Sequence, residues 1–286
     1  MSQRALVGAA VLAGLLAGCG GKPPLRKMAC ADAPALKIET SADGTTKSAQ
    51  FSVLTYNLEG LPWPARKGRA EPLREIGARL AAMNADGSAP DIALFQEMFS
   101  PSAKQAVEGS GYGAIAPGPR RVRSPKDGPE RKISGKAKPL KGELGLRVLG
   151  SGLSIASRYP IVARDREAFG RRACAGFDCL ANKGVMMARI YLPGVPLPVD
   201  VYNSHMNARG ASKVSEKRNL EAHRRQVAMA SAFISDTSDG DLALIFGGDF
   251  NMRHSEARWE GFSQYHPLNL VHKYCMEEPD RCDVKM

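Results

Sequence analysis

The chain has 286 residues, 43% of them hydrophobic and 24% charged, enough for a sizeable core in one large domain or two small ones. That ordinary globular balance excludes a disordered or fibrous protein. The net charge of +11 suits contact with phosphate, nucleic acid or acidic lipid, or simply a solvated basic surface.

The chain opens on "MSQRALVGAAVLAGLLAGCGG", one arginine followed by an apolar run from Ala5 to Ala17 and then small residues. The run is short for a membrane span and has the proportions of a signal peptide over residues 1–18. "LAGC", ending at Cys19, resembles the lipobox of bacterial lipoproteins, which implies an exported protein lipid-anchored at Cys19 to a bacterial membrane, on its periplasmic or cell-surface face. Export permits disulfides, and "CAGFDC" and "CMEEPDRC" make two local loops, Cys174 with Cys179 and Cys275 with Cys282, the natural pairing, with Cys30 left over. Neither spacing is that of a common zinc site.

Residues 19–50 are rich in Gly, Pro, Lys, Ser and Thr without periodicity and read as a flexible linker; the domain is expected over 51–286. "FSVLTYN" predicts a strand, and Leu73, Ile76, Leu80 and Met83 recur at helical spacing. "DIALFQE" is a second strand; a short helix from Pro101 and a strand near Tyr112 follow. Segment 118–143 then reads as a long basic loop: from Arg120 to Lys141 it carries nine Lys or Arg against two acids. It is either a solvated insertion or a device that gathers phosphate-bearing substrate or lipid. "SGLSIASR", "GVMMARIYL" and "VDVYNSH" are further strands. A helix from about Lys213 carries Leu220, Val227, Ala230 and Ile234 on one face, and "LALIF", apolar throughout, is expected to be buried on both faces. The pattern suggests a layered α/β or α+β domain.

Four apolar stretches stop in polar groups: Asn57, Glu97, His205, and Asp249 with Asn251. Each has a plain structural alternative, Glu97 as a helix cap, His205 as a hydrogen-bonded histidine, Asn57 as a turn residue, and Gly247 and Gly248 as a tight bend. If the strands share a sheet, the groups converge on one rim. Carboxylates at Glu97 and Asp249 with an amide oxygen suit a hard cation such as Mg²⁺, or Mn²⁺ or Ca²⁺. With a nearby His and Asn, that is an apparatus for hydrolysing a phosphate ester.

"LTYNLEGLP", "PDIALFQEMF", "GSGLSIASRYPI", "VYNSHMNA" and "IFGGDFNMR" together resemble the endonuclease/exonuclease/phosphatase superfamily, which is similar to deoxyribonuclease I in fold. The resemblance implies an α+β, four-layer α/β/β/α sandwich with a Mg²⁺-dependent phosphoesterase site at one end. It implies Asn57 and Glu97 as metal ligands, His205 on the scissile phosphate, Asp249 orienting the attacking water and Asn251 stabilising the transition state, with Asn207 assisting. "DCLANKGVMMARI" looks like the matching segment of bacterial sphingomyelinases and phospholipases C, which implies Lys183 on a phosphate, and a phospholipid or sphingolipid head group ahead of nucleic acid as substrate. The protein is expected to act as a monomer. A metal-dependent nuclease and a degenerate membrane-tethered binding protein are the rival readings. The family's closing Asp-His strand has no counterpart here, and His266 and His272 stand in another context. A truncated C-terminus, incomplete C-terminal strands and little hydrolysis by this chain are the corresponding expectations.

Overall fold

A computed structural model describes residues 26–120, 133–144 and 146–282. The signal segment, Cys19 and the central part of the basic loop (121–132) lie outside the described residues. In the stretch that composition reads as linker, residues 26–50 carry an antiparallel hairpin, β1 (Ile38–Thr40) and β2 (Lys47–Ala49), and Arg26 bridges to Ile115. Ala33 and Leu36, with the following Phe51, rest on the main core.

The first large sheet contains β3 (Val53–Asn57), β4 (Ile92–Gln96), β5 (Ala114–Pro117) and β6 (Ser154–Ser157) in the order β3-β4-β6-β5. The second contains β7 (Ile161–Ala168), β8 (Gly184–Ile190), β9 (Val199–His205) and β10 (Ala243–Asp249) in the order β10-β9-β8-β7. Helices α1 (Ala70–Asp86) and α2 (Pro101–Glu108) cover the outer face of the first sheet. The second is covered by α3 (Glu216–Thr237) and α4 (Glu256–Tyr265), and α5 (Val271–Glu277) follows. Among the described residues no helix is long and apolar enough to cross a membrane.

The period-two alternation of a strand builds these layers. In β4, Ile92 and Leu94 enter the core between the sheets while Ala93 and Phe95 face α1 and α2. In β8, Met186, Ala188 and Ile190 enter the same central core, and Val185 and Met187 face α3 and α4. Both strands therefore need apolar residues at nearly every position. α2 starts where Ser100 accepts from the Ala103 amide at 3.2 Å with Pro101 in the first turn, and α1 stops at Gly87, whose φ is 83°. Glu221 and Arg225 pair along α3 at 2.6 Å. Both local disulfides, Cys174–Cys179 and Cys275–Cys282, are formed, and Cys30 is free and exposed.

The structure corrects the expectation for the strand at "LALIF". β10 is no doubly buried strand: Ala243 is exposed and the rest is half-buried, because among the described residues the strand pairs only with β9. Apolarity reports contact on the two faces, where Ile245 meets the central core and Leu244 and Phe246 the helices. It says nothing about the edge. β3 is likewise an edge strand, half-exposed from Val53 to Asn57. After Asp249 the described chain adds helices and no further strand.

Candidate active site

The two parallel pairings assemble the rim. β3 runs parallel to β4 with Asn57 beside Gln96, and β10 runs parallel to β9 with Asp249 beside His205. Each pair thus presents its carboxyl ends together, and the amide of Asn57 donates to Asp249 Oδ2 at 2.9 Å, joining the sheets at one end. Behind the rim a buried polar network holds the layers in register. Gln96 donates to Asn203 Oδ1 at 2.9 Å, and Asn203 donates to the carbonyls of Phe95 and Ser154 at 3.0 and 2.9 Å.

Glu97 and Asn251 lie just past strand ends with φ of 56° and 53°, left-handed conformations that side-chain-bearing residues seldom adopt. Gly247 and Gly248 answer to packing. A Cβ on Gly247 would sit 2.5 Å from Leu94 of the other sheet, and one on Gly248 would sit 2.1 Å from the Ser204 carbonyl. They let β10 approach both neighbours, so Asp249 reaches the rim.

Burial pushes the Glu97 carboxyl up; a hydrogen bond with Asn57 and the charge of Lys183 act against this, and Asp249 and Asp178 reinforce it. Asp249 Oδ1 accepts from the Asn251 amide at 3.1 Å, and Oδ2 lies 3.7 Å from His205 Nε2. His205 is almost fully buried, and burial, then the charge of Lys183, hold its pKa well below the usual value. Lys183 Nζ stands 3.1 Å from His205 Nε2, 2.9 Å from the Met206 carbonyl and 2.8 Å from Asp178 Oδ1. An ammonium only donates, so Nε2 accepts and the neutral ring carries its proton on Nδ1. Asn251 Nδ2 donates to the same Met206 carbonyl at 3.0 Å. A cavity of about 460 Å³ lined by Arg209, Asp249, Asn251 and Arg253 opens beside these groups.

Asn57, Glu97, Lys183, His205, Asp249 and Asn251 therefore come together. Asn207 does not. It is fully buried, accepts from the Ala175 amide at 3.0 Å and donates to the Ala208 carbonyl at 2.9 Å, so it shapes the loop after β9 and offers no group to a phosphate. His266 packs against Phe246 and Phe262, and His272 is exposed on α5.

Three further residues shape the site. Asp178 pairs with Lys183 and accepts from the Ala208 amide; an acid five positions before that lysine was the available signal. Gln226 on α3 accepts from the Asn207 amide and donates to the Ala173 carbonyl, both at 2.6 Å. Arg258 is fully buried on α4 and donates to the carbonyls of Asn207 and Asn251 at 2.6 and 3.1 Å. For Arg258 no local pattern existed, since these partners lie 7 to 51 residues away.

The buried histidines set an acid limit. Burial lowers His223 and His266 from the usual 6.5 to about 4, and His205 also falls. The unfolded chain takes up these protons first, so stability is greatest above pH 6.5 and falls as pH drops. His223 and His266 each contribute up to about 1.4 kcal/mol per pH unit down to roughly pH 4 and His205 acts in the same sense, while Glu97, pushed up, acts in the opposite one. Urea unfolding across pH 7.5 to 5 should show this slope, and His266→Phe should reduce it. A flat profile would contradict the neutral, buried state.

A model of the Endonuclease/Exonuclease/phosphatase family matches residues 54–263, a span that contains every rim residue. The chain belongs to that family. Sphingomyelinases of Mycobacterium bovis and Mycobacterium tuberculosis are 28% identical to it over 214 residues, 74% of this chain and 36% of theirs. The chain thus spans only about a third of the length of these relatives. Sphingomyelinase C from Streptomyces griseocarneus superimposes with a TM-score of 0.58 at 20% identity, covering 77% of this chain and 70% of that one. A beta toxin of Staphylococcus aureus with bound magnesium ions gives 0.56 at 17%, covering 77% and 71%. These superpositions establish the α+β sandwich common to the family, with two sheets inside and helices outside.

Proposed function

We propose that the rim is a divalent-cation-dependent phosphodiester hydrolase site of the sphingomyelinase type, directed at a phospholipid or sphingolipid head group on a membrane surface. The observation that carries the reading is the meeting of two carboxylates, Glu97 and Asp249, with a neutral histidine and an ammonium at the carboxyl ends of two parallel strand pairs. Identity with the mycobacterial sphingomyelinases supports the lipid branch. Export and a lipid anchor at Cys19 belong to the same proposal, as does action as a monomer.

The donor set fits a hard cation. Glu97 is half-buried with the Asp249 and Asp178 charges nearby, an arrangement that a divalent ion offsets. Among the described residues no three His, Cys, Asp or Glu side chains form a metal cluster by themselves, so the Asn57 amide and water complete the set, as Mg²⁺ allows. When bound, the ion supplies a Lewis acid for the phosphoryl oxygen. Glu97 and Asn57 would hold it. Asp249 orients the attacking water, Asn251 offsets charge developing on the phosphate, and Lys183 keeps the His205 ring neutral and in place. With Nε2 engaged by Lys183, His205 offers no free base, and turnover by this chain is slow.

The test offers the purified protein sphingomyelin, phosphatidylcholine, bis(p-nitrophenyl) phosphate and supercoiled DNA, each with Mg²⁺ and with EDTA. The expected result is slow, EDTA-sensitive phosphocholine release, fastest from sphingomyelin. DNA nicking in its place would establish the nuclease reading. Cation binding without cleavage of any substrate would establish the degenerate binding protein.

A further inference from the structure

Leucine is ordinarily a core residue, yet Leu140, Leu144 and Leu146 are 96%, 67% and 68% exposed. Val148, two positions after Leu146, is 51% exposed, and Phe177, on the turn that Gly142 approaches, is 44% exposed. These side chains stand on a braced support. Glu143 accepts from the Gly176 amide at 2.8 Å and from Arg218 through two bonds of 2.9 Å. The amides of Val148 and Leu149 donate to the Leu180 carbonyl at 2.9 and 3.0 Å. Gly142 lies so close to Gly176 that a Cβ would meet its carbonyl at 3.0 Å. The leucine segment is thereby tied to the short turn Gly176–Leu180.

Basic residues flank the leucines along the chain. Lys136, Lys138 and Lys141 precede or interrupt them, Lys141 Nζ reaches the Lys213 carbonyl at 2.6 Å, and Glu143, already paired, is the one acid among the described residues of 133–148. Adjoining this segment is a pocket of about 460 Å³ whose lining includes Arg147, Arg171, Arg172 and Arg218. The patch also lies at the catalytic end of the sandwich: Phe177 is followed directly by Asp178, the partner of Lys183 at the rim.

Exposed apolar groups flanked by cations match a bilayer with anionic lipid. The leucines enter the boundary of the acyl chains, and exposed cations such as Lys136 and Lys138 meet the phosphates. Nucleic acid fits poorly, because three leucines and a valine, with Phe177 the one aromatic among them, offer little stacking surface for bases. We propose that Leu140, Leu144 and Leu146, with Val148 and Phe177, form a docking surface for an anionic lipid bilayer and hold the rim at head-group level. The purpose of this surface rests on the lipid-hydrolase reading; the binding itself does not.

The test uses the full chain carrying Cys19→Ser, so that no acyl group contributes, with and without Leu140→Ser, Leu144→Ser and Leu146→Ser together. Co-sedimentation with mixed phosphatidylcholine/phosphatidylserine vesicles should fall by roughly tenfold or more in the triple variant. Binding of the parent should weaken with pure phosphatidylcholine or at high salt. As a position-specific readout, the fluorescence of a Leu144→Trp variant should be quenched by bromine-labelled acyl chains beyond the quenching seen without the substitution. Because the three leucines are exposed, thermal unfolding should be unchanged, as should cleavage of a soluble phosphocholine ester. Equal vesicle binding by parent and triple variant, or no added quenching at position 144, overturns the docking surface whether or not the protein hydrolyses lipid. Normal vesicle docking with no cleavage of any phosphodiester would overturn the hydrolase reading alone.

Discussion

Glu97→Gln should abolish most divalent-cation binding while leaving the cation-free protein at least as stable as the parent. The two effects have opposite signs for one reason. In the folded protein the Glu97 carboxylate is half-buried and close to the charges of Asp249 and Asp178, which pushes its carboxyl up and disfavours the ionised form. A bound cation reverses that penalty; an amide of the same shape never incurs it. The glutamine can still accept the hydrogen bond from Asn57, so packing is preserved. Because loss of even a supporting group typically costs ten- to a hundredfold in metal affinity, loss of this carboxylate should cost about a hundredfold. Calorimetric titration with Mn²⁺ and thermal unfolding with and without the ion measure both arms. An unchanged Mn²⁺ affinity would remove Glu97 from the metal site, and a large fall in stability without the ion would contradict its electrostatic description.

Arg258→Met should destabilise the protein by about 3 kcal/mol or more, since hydrogen bonds from a charged group contribute roughly 1.5–3 kcal/mol each and their carbonyl acceptors would be left buried. Arg258 is fully buried and burial lowers it to about 10, yet among the described residues no carboxylate forms an ion pair with it. Its partners are the carbonyls of Asn207 and Asn251, the side chain of Asn219 at 2.8 Å and, at 3.5 Å, the Ala208 carbonyl. One guanidinium thus ties the loop after β9 and the loop after β10 to α3. Arg258→Lys, which keeps the charge and loses the fork, should recover only part of the stability. Glu97 and Asn57 belong to the other sheet, so Mn²⁺ binding should survive in any fraction that remains folded. Urea unfolding of the two variants provides the measurement; a loss below about 1 kcal/mol for Arg258→Met would show that the loops hold their positions without it.

The strand ends were legible because the physical signal is local. An apolar run that stops in Asn57, Glu97, His205 or Asp249 places a polar group where a strand leaves the core, and the motif order around those residues carried the family and its layered sandwich. The helical spacing of Leu73, Ile76 and Leu80 similarly reported α1. Lateral placement was not legible. "LALIF" has the same composition whether its strand is central or at an edge, since strand neighbours join through backbone groups that every residue carries. Asn207 followed the same limit: its type and position beside His205 suited a phosphate, but the fold turned its amide toward the backbone of Ala175 and Ala208.

By itself, then, the sequence determined which residue types stand at the ends of which strands, and through them the family, because hydrophobic periodicity and residue type act within a few positions. Only the tertiary structure decided that Asn57 meets Asp249 across 192 residues, that Lys183 engages His205 while held by Asp178, that Gly247 and Gly248 make room for neighbouring strands, and that Arg258 secures both loops. Those relations arise from parallel pairing and from burial that leaves a polar group no solvent to bond. Neither is encoded in any short stretch of chain.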